Sequence, residues 1–174
     1  MAKRLFIILF SLFLLSCQNN NKRSKNEEIN KIIEIVISDD NSMILKESKF
    51  CIDFKKINTH FLLNEDINGD IFFSSKDSIS LVEQNYNAEK LKITDFVLAD
   101  LNTTTFKEEM ANREKRERDN FYEISLPLIS NDQQKAYLEL NYYCNGLCGF
   151  GIAIYLKKAN GIWKIIEKRR TWVS

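Results

Sequence analysis

The fold is decided by four short segments near the end of the chain: 122–128 (YEISLPL), 136–143 (AYLELNYY), 150–156 (FGIAIYL) and 163–168 (WKIIEK). In the first three, large apolar side chains recur at every second position, which is typical of β-strands with one face on a core. Asn131-Asp132 and Asn160-Gly161 favour tight turns between successive strands. We therefore expect an antiparallel meander with its other face in water. Pro127 lacks a backbone N–H, so its strand is predicted to lie at an edge.

A helix is predicted well before this sheet. Ser24 and Glu27 form a capping box, and aliphatic side chains then recur at helical spacing over about 26–38. Because one stripe of this helix is apolar, the stripe must pack against another element. The sequence thus predicts an α+β fold, in which an N-terminal helix packs on an antiparallel sheet that ends in a C-terminal β-meander.

The middle of the chain is less regular. Residues 50–54 alternate as in a strand, and Asn68-Gly69 favours a hairpin turn. Residues 78–86 fit either a strand or a helix. A second capping box opens the segment 105–118, in which nearly every side chain is charged, so we expect a mostly solvated helix there.

Residues 1–16 have the pattern of a bacterial export signal. A short positive region is followed by an apolar run over 5–15, which is too short for a permanent membrane helix of about 20 residues. Leu14-Leu15-Ser16-Cys17 then resembles the lipobox of bacterial lipoproteins, in which diacylglycerol is attached to the Cys thiol and the signal is cut before it. The resemblance implies a lipid on Cys17 and a membrane anchor. The alternative is an ordinary cleaved signal with an incidental cysteine.

The expected domain organisation follows from this anchor. Residues 1–16 are the signal peptide, 17–28 are the lipidated Cys17 and a polar, flexible tether, and 29–174 form a single α+β domain. Residue 18 is Gln rather than Asp, so resemblance to the enterobacterial sorting rule places the protein at the outer membrane. Whether the domain faces the periplasm or the outside stays open.

The charge of the chain argues against a nucleic-acid partner. The sequence has 25 Lys or Arg and 24 Asp or Glu, and two of the basic residues, Lys3 and Arg4, belong to the predicted signal. The remainder is close to neutral and lacks the excess of basic residues that contact with phosphates requires.

Cys144 and Cys148 flank a three-residue loop between two predicted strands. Facing positions across a tight hairpin suit disulfide geometry, and disulfides persist in an exported protein, so we expect a structural disulfide here. The alternatives are a redox-active pair, although thioredoxin-type pairs have two intervening residues, and a metal site. Cys51 is the odd thiol, either buried and reduced or a rival disulfide partner.

No motif assigns a catalytic residue, a metal ligand or a cofactor. The sequence contains no Gly-x-Ser-x-Gly, His-Glu-x-x-His or Gly-rich phosphate loop, and its single histidine, His60, suits a surface or turn position. Residues 66–70 have a weak similarity to a calcium loop, but Ile71 stands where an EF-hand needs Gly. Paired carboxylates such as Glu108-Glu109 are expected in water, where nothing raises a pKa for acid catalysis.

Aromatic residues are concentrated in the predicted meander. Tyr142 and Tyr143 must point to opposite faces, so one of them is expected to be exposed. Exposed aromatic side chains anchor protein partners or stack on sugar rings. Tyr143, Phe150 and Tyr155 are therefore the candidate partner-binding residues, and the alternative is that they belong to the sheet core.

The last fifty residues resemble small lipoproteins of Bacteroidetes-type bacteria. The resemblance rests on Ser125-x-Pro127, on Tyr-Tyr-Cys-x3-Cys-Gly-x-Gly over 142–151, and on Asn160-Gly161-x-Trp163-Lys164. It implies the envelope compartment and the meander, but it carries no activity and no catalytic residues.

Three functions fit these observations. The first is a non-enzymatic envelope lipoprotein that binds a protein or a glycan. The second is an inhibitor or immunity-type lipoprotein against a toxin or lytic enzyme. The third is a hydrolase whose site no motif reveals. A flat patch around Tyr143 and Phe150 would favour binding, a protruding loop with a charged tip would favour an inhibitor, and a deep cleft with His60 or a buried carboxylate would favour an enzyme.

Overall fold

The structure is a computed structural model that describes residues 25–39, 44, 47–63, 65–115, 119–146 and 148–174. The predicted signal, Cys17 and the tether up to residue 24 lie outside these ranges. The helices are α1 (25–38), α2 (Ser78–Tyr86), α3 (Asp95–Leu98) and α4 (Phe106–Glu114), and short 3-10 turns occupy Thr59–Leu62, Ser75–Asp77 and Ala88–Lys90.

The strands form one mixed sheet and one small hairpin. They are β1 (Lys49–Cys51), β2 (Asp66–Ile67), β3 (Asp70–Ile71), β4 (Asn102–Thr104), β5 (Phe121–Ile124), β6 (Leu128–Ile129), β7 (Lys135–Tyr143), β8 (Gly149–Ala159) and β9 (Ile162–Val173). The sheet order is β4-β1-β5-β7-β8-β9, with β6 also paired to β7, and β2 pairs with β3 separately. The pairing is antiparallel from β5 to β9, whereas β1 pairs in parallel with both β4 and β5.

The C-terminal meander is confirmed, together with two predicted Asn-Gly turns. Asn68-Gly69 joins β2 to β3 and Asn160-Gly161 joins β8 to β9, and all four residues have positive φ. Asn and Gly tolerate this left-handed backbone at little cost, which is why such turns are readable from sequence. The ambiguous residues 78–86 are helical.

Helix α1 packs on the sheet and confirms the predicted fold class. Its apolar stripe, Ile29, Ile32, Ile33 and Val36, is fully buried. The helix begins at residue 25, so residues 25–28 belong to the folded domain rather than to the tether. The physical reason lies in Glu28, whose carboxylate accepts hydrogen bonds from Lys158 Nζ at 2.6 Å and Trp163 Nε1 at 3.0 Å near the β8–β9 turn.

Two expectations about the sheet need correction. The predicted strand around Pro127 is divided into β5, which lies between β1 and β7 and is not at an edge, and β6, which pairs only with β7. Pro127 falls in the break between them, where no ladder hydrogen bond is needed. The face of β7 opposite α1 is also not in water, because Tyr137 and Asn141 on that face are fully buried. Residues 52–73 and helix α4 cover it, and no pattern in their sequences indicates which face of the sheet they pack on.

We predict that Glu28→Gln destabilises the domain in a pH-dependent way. Partial burial opposes the charge, but hydrogen bonds from Lys158, Lys31 and Trp163 outweigh it and lower the pKa of Glu28 from 4.5 to about 2. A carboxylate whose pKa is lower in the folded than in the unfolded state stabilises the folded state at pH values above the unfolded pKa. This stabilisation is lost as pH falls from about 4.5 towards 2. At neutral pH the loss in unfolding free energy should be on the order of 1–2 kcal/mol after solvent screening.

Urea unfolding across this pH range measures the effect, with Glu34→Gln as the control because Glu34 is exposed on the same helix. Equal stability of the Glu28 and Glu34 variants at neutral pH would contradict this role of Glu28.

Candidate ligand cleft beside a buried carboxylate

The face of the sheet that carries Tyr137, Glu139, Asn141 and Tyr143, here called the polar face, holds several side-chain hydrogen bonds. The Tyr137 hydroxyl donates to Glu139 Oε1 at 3.0 Å, and the indole N–H of Trp172 donates to Asn141 Oδ1 at 2.8 Å. Buried polar groups need such partners, because an unpaired one costs several kcal/mol. These hydrogen bonds allow polar side chains to be buried on a face that the alternating sequence pattern alone predicts to be exposed to water.

Glu123 on β5 adds to the polar face from the neighbouring strand. Its carboxylate accepts a hydrogen bond from the Tyr143 hydroxyl at 3.2 Å, and the residue is only 5% exposed. Burial raises the pKa of the Glu123 carboxyl, and the negative charges of Asp53 and Glu139 act in the same direction. The positive charge of Lys55 and the Tyr143 hydrogen bond oppose the rise without cancelling it.

Lys55 is held against this carboxylate by the backbone. Its N–H donates to the Ile124 carbonyl at 2.9 Å, which extends the parallel pairing of β1 and β5 as an isolated bridge to Ser125. The Lys55 ammonium lies 3.9 Å from Oε2 of both Glu123 and Glu139. Such a spacing is wider than a direct hydrogen bond and suits bridging through a third polar atom.

An open cleft of about 810 Å³ reaches this pair from solvent. It lies between residues 52–56, the segment 88–98 and the start of α4, and we call it the Lys55 cleft. Its apolar lining residues are Ile52, Phe54, Ala88, Leu91, Ile93, Leu98 and Phe106. Its polar lining residues are Asp53, Lys55, Lys56, Glu89, Lys92, Asp95, Thr105 and Glu123. The volume falls in the range of small-molecule sites, which are largely apolar with a few placed polar groups.

Helix α4 closes one side of the polar face. Thr105 and Glu108 form the predicted capping box, and Asp53 accepts a further hydrogen bond from the N–H of Phe106 at 2.9 Å. The guanidinium of Arg113 lies over the rings of Phe121 and Tyr143, at 5.0 and 5.8 Å from their centroids. The first turn of α4 is thereby fixed beside the cleft.

The expectation that Glu109 is solvated is wrong. Its side chain is 1% exposed and accepts hydrogen bonds from Thr104 Oγ1 at 2.7 Å and Lys49 Nζ at 3.1 Å. Glu108, one residue earlier, is exposed as expected. The difference arises because β4 precedes α4 directly and brings its edge against one side of a short helix.

The candidate partner-binding residues do not share one surface. Tyr143 is half-buried, stacked on Phe121 with ring centroids 4.8 Å apart. Tyr155 is 2% exposed and donates its hydroxyl to Glu65 at 2.7 Å. Phe150 is half-buried and contacts its cross-strand partner Tyr142, and both lie on the face of the sheet opposite to Tyr143 and Tyr155. A role for these residues in binding stays a prediction.

The sulfur atoms of Cys144 and Cys148 lie at disulfide distance, with the two Cα atoms 5.5 Å apart. Cys51 is a buried free thiol, and burial together with the charge of Asp53 raises its pKa, so the reactive thiolate is disfavoured. His60 is exposed in a 3-10 turn, away from the Lys55 cleft.

Metal ligands and membrane spans can be assessed over the described ranges. Within them, no group of three or more His, Cys, Asp or Glu side chains is arranged to hold a metal ion. In the same part of the chain, none of the helices has the length and apolar character needed to cross a membrane.

Sequence reasoning missed Glu123 and Lys55, the two charged residues at the inner end of the cleft. A carboxylate flanked by Tyr122 and Ile124 indicates a buried charge when its strand is predicted to be central in the sheet. Pro127 instead led to the prediction of an edge strand, so this signal was not used. Lys55 carried no signal, since it lies 68 positions before Glu123 and reaches it only through parallel pairing.

Comparisons with known proteins supply no relative for this arrangement. No protein-family model matches the chain, and no curated protein or solved structure matches it either.

We predict that Glu123→Gln changes the pH dependence of stability in the direction opposite to Glu28→Gln. Because the folded-state pKa of Glu123 is raised, its contribution is fully present below the unfolded value of 4.5 and is lost as pH rises through the folded value. The variant, which cannot ionise, should gain stability relative to wild type as pH rises above about 4.5. Urea unfolding at several pH values measures this, with exposed Glu114→Gln as the control. A constant difference across the range would show that Glu123 ionises normally.

We also predict that the Cys144–Cys148 link is local and modestly stabilising. Joint replacement of both residues by Ala should lower the unfolding free energy by at most about 2 kcal/mol, because the closed loop is very short. Peptide mapping without reduction should recover Cys144 joined to Cys148, also in a Cys51→Ala chain. Recovery of a peptide that joins Cys51 to either residue would overturn this pairing.

Proposed function

We propose that this chain is a membrane-anchored envelope lipoprotein whose domain binds a small amphipathic ligand in the Lys55 cleft. The anchor rests on the lipobox-like sequence that ends at Cys17. The binding role rests on one observation, an open and largely apolar cleft whose inner end holds a buried carboxylate beside a lysine. Placement at the outer membrane follows from the anchor and from Gln18.

The lining supports a ligand with an apolar body and one polar end group. Phe54, Leu98 and Phe106 offer apolar contact along the cleft, where burial contributes roughly 25 cal/mol per Å² of apolar surface. At the inner end, Lys55 and Glu123 offer a donor and an acceptor that fix the orientation of the end group. Protein side chains already satisfy most of the polar face, so specificity is concentrated at these two residues.

One observation favours a second function in the same cleft. Burial raises the pKa of Glu123, which is the property that a general acid needs to hold its proton closer to neutral pH. A hydrolase that uses Glu123 in this way is the alternative. Turnover of a chromogenic substrate separates the two functions, since a hydrolase should turn the substrate over and lose that activity in Glu123→Gln, whereas a binding protein should show no turnover in either form.

We expect Ile52→Asp to weaken ligand binding, whereas Ile71→Asp should not. Both isoleucines are exposed, but only Ile52 lines the cleft. The probe is the fluorescent dye anilinonaphthalene sulfonate, which has an aromatic body for the apolar lining and a sulfonate for Lys55. A carboxylate among apolar contacts should weaken the dye affinity by about tenfold. Equal dye affinity for the two variants would contradict binding in the cleft.

We expect Cys17→Ser to release the protein from membranes. Lipid chains contribute about 0.8 kcal/mol per buried methylene, so their loss removes the anchor. Fractionation of cells that express the full chain measures the distribution, with Cys51→Ser as the matched control. Membrane retention of the Cys17 variant would refute the anchor.

A further inference from the structure

Large apolar side chains are exposed on α2, which lies beside the start of α1. On α2, Ile79, Val82 and Tyr86 have the spacing of one helical stripe, and each is at least 55% exposed. Such a stripe on a nine-residue helix normally faces a core. Here the buried side of α2 carries Leu81 and Gln84 instead, so the stripe faces outwards.

Contacts place this stripe near the point where the chain enters the domain. Lys25, the first described residue, lines a shared surface hollow with Ser80, Glu83 and Gln84 of α2. The charge of Glu83 also acts on the Lys25 ammonium. The start of α1 therefore lies beside α2.

One further exposed apolar residue lies on a segment that α1 contacts. Asn30 of α1 bonds to the backbone of Lys92 and Thr94, two residues before Phe96, which is 79% exposed. Monomeric soluble proteins rarely expose large contiguous apolar patches.

The short stretch of chain between Cys17 and α1 favours a bilayer as the cover of this region. Cys17 precedes Lys25 by eight residues, and an extended chain spans at most about 3.3–3.6 Å per residue, so the two lie within about 29 Å of each other. A lipid on Cys17 would hold the start of α1 close to the bilayer. Tyrosine, here Tyr86, is a side chain enriched at the membrane interface.

We propose that the α2 stripe docks the domain on the lipid bilayer surface. This inference rests on the proposed lipid anchor but is independent of the Lys55 cleft. The surrounding charges are mixed: Lys25 lies beside Glu83, and Lys56 pairs with Glu89 at 2.7 Å. Docking therefore depends on apolar contact, and it should be insensitive to the fraction of anionic lipid.

The test uses the full lipidated chain reconstituted in phosphatidylethanolamine–phosphatidylglycerol vesicles. A Val82→Cys variant is labelled with the polarity-sensitive dye NBD without reduction, so that the Cys144–Cys148 pair stays closed and buried Cys51 is not labelled. The control is NBD at Val173→Cys, which is exposed at the opposite end of β9 from Ile162. Nitroxide-bearing phospholipids serve as quenchers within the bilayer.

We expect emission from position 82 to shift to shorter wavelength and to be quenched by the nitroxide lipids. Emission from position 173 should do neither, and adding Tyr86→Asp should reverse the shift at position 82 while the chain still co-floats with vesicles. Co-flotation with a water-like probe at position 82 would overturn docking and leave the anchor standing. An emission shift that grows with the density of protein on the vesicles and is not quenched by the nitroxide lipids would overturn bilayer docking. It would show that the α2 stripe packs against a second copy of this chain. If the chain does not co-float, the anchor is wrong and docking falls with it.

Discussion

Strand β7 is buried on both faces and paired on both edges, and the rest of the domain is arranged around that constraint. It pairs with β5 and β6 on one side and with β8 on the other. On one face, Leu138 and Leu140 join the core that α1 covers. On the other face, Tyr137, Glu139 and Asn141 require hydrogen-bond partners, because water does not reach them freely. The irregular segment 52–73 and helix α4 supply the cover for that face.

Two glutamates show how the surroundings decide between a structural and a chemical role. Glu28 accepts hydrogen bonds from three donors, and these lower its pKa despite partial burial. Glu123 is more deeply buried and has one tyrosine hydroxyl and a more distant lysine, so its pKa rises. The first arrangement fixes α1 to the sheet. The second leaves a carboxyl at a cleft that a ligand can reach, which is the kind of site where perturbed groups concentrate.

Much of the fold could be predicted because its signals are local. The alternation in β7 and β8, the Asn-Gly turns, the capping box of α4 and the Cys144–Cys148 spacing all involve residues a few positions apart. The cover of the polar face was not predictable in this way. Glu109 meets Lys49 across 60 positions, and Lys55 meets Glu123 only because β1 pairs in parallel with β5. Parallel pairing carries no turn signal, so the candidate site depends on long-range contacts that a single sequence does not reveal.

The most direct test is a titration of the Glu123 carboxyl by carbon-13 NMR, which shows whether a buried acid lies at the Lys55 cleft. The signal is assigned by comparison with Glu123→Gln. A titration midpoint above the ordinary value of 4.5, moving further when the dye occupies the cleft, is the expected result. A midpoint at or below 4.5 would contradict the account, because water or the Lys55 ammonium would then stabilise the Glu123 carboxylate fully and no buried acid would be present at the cleft.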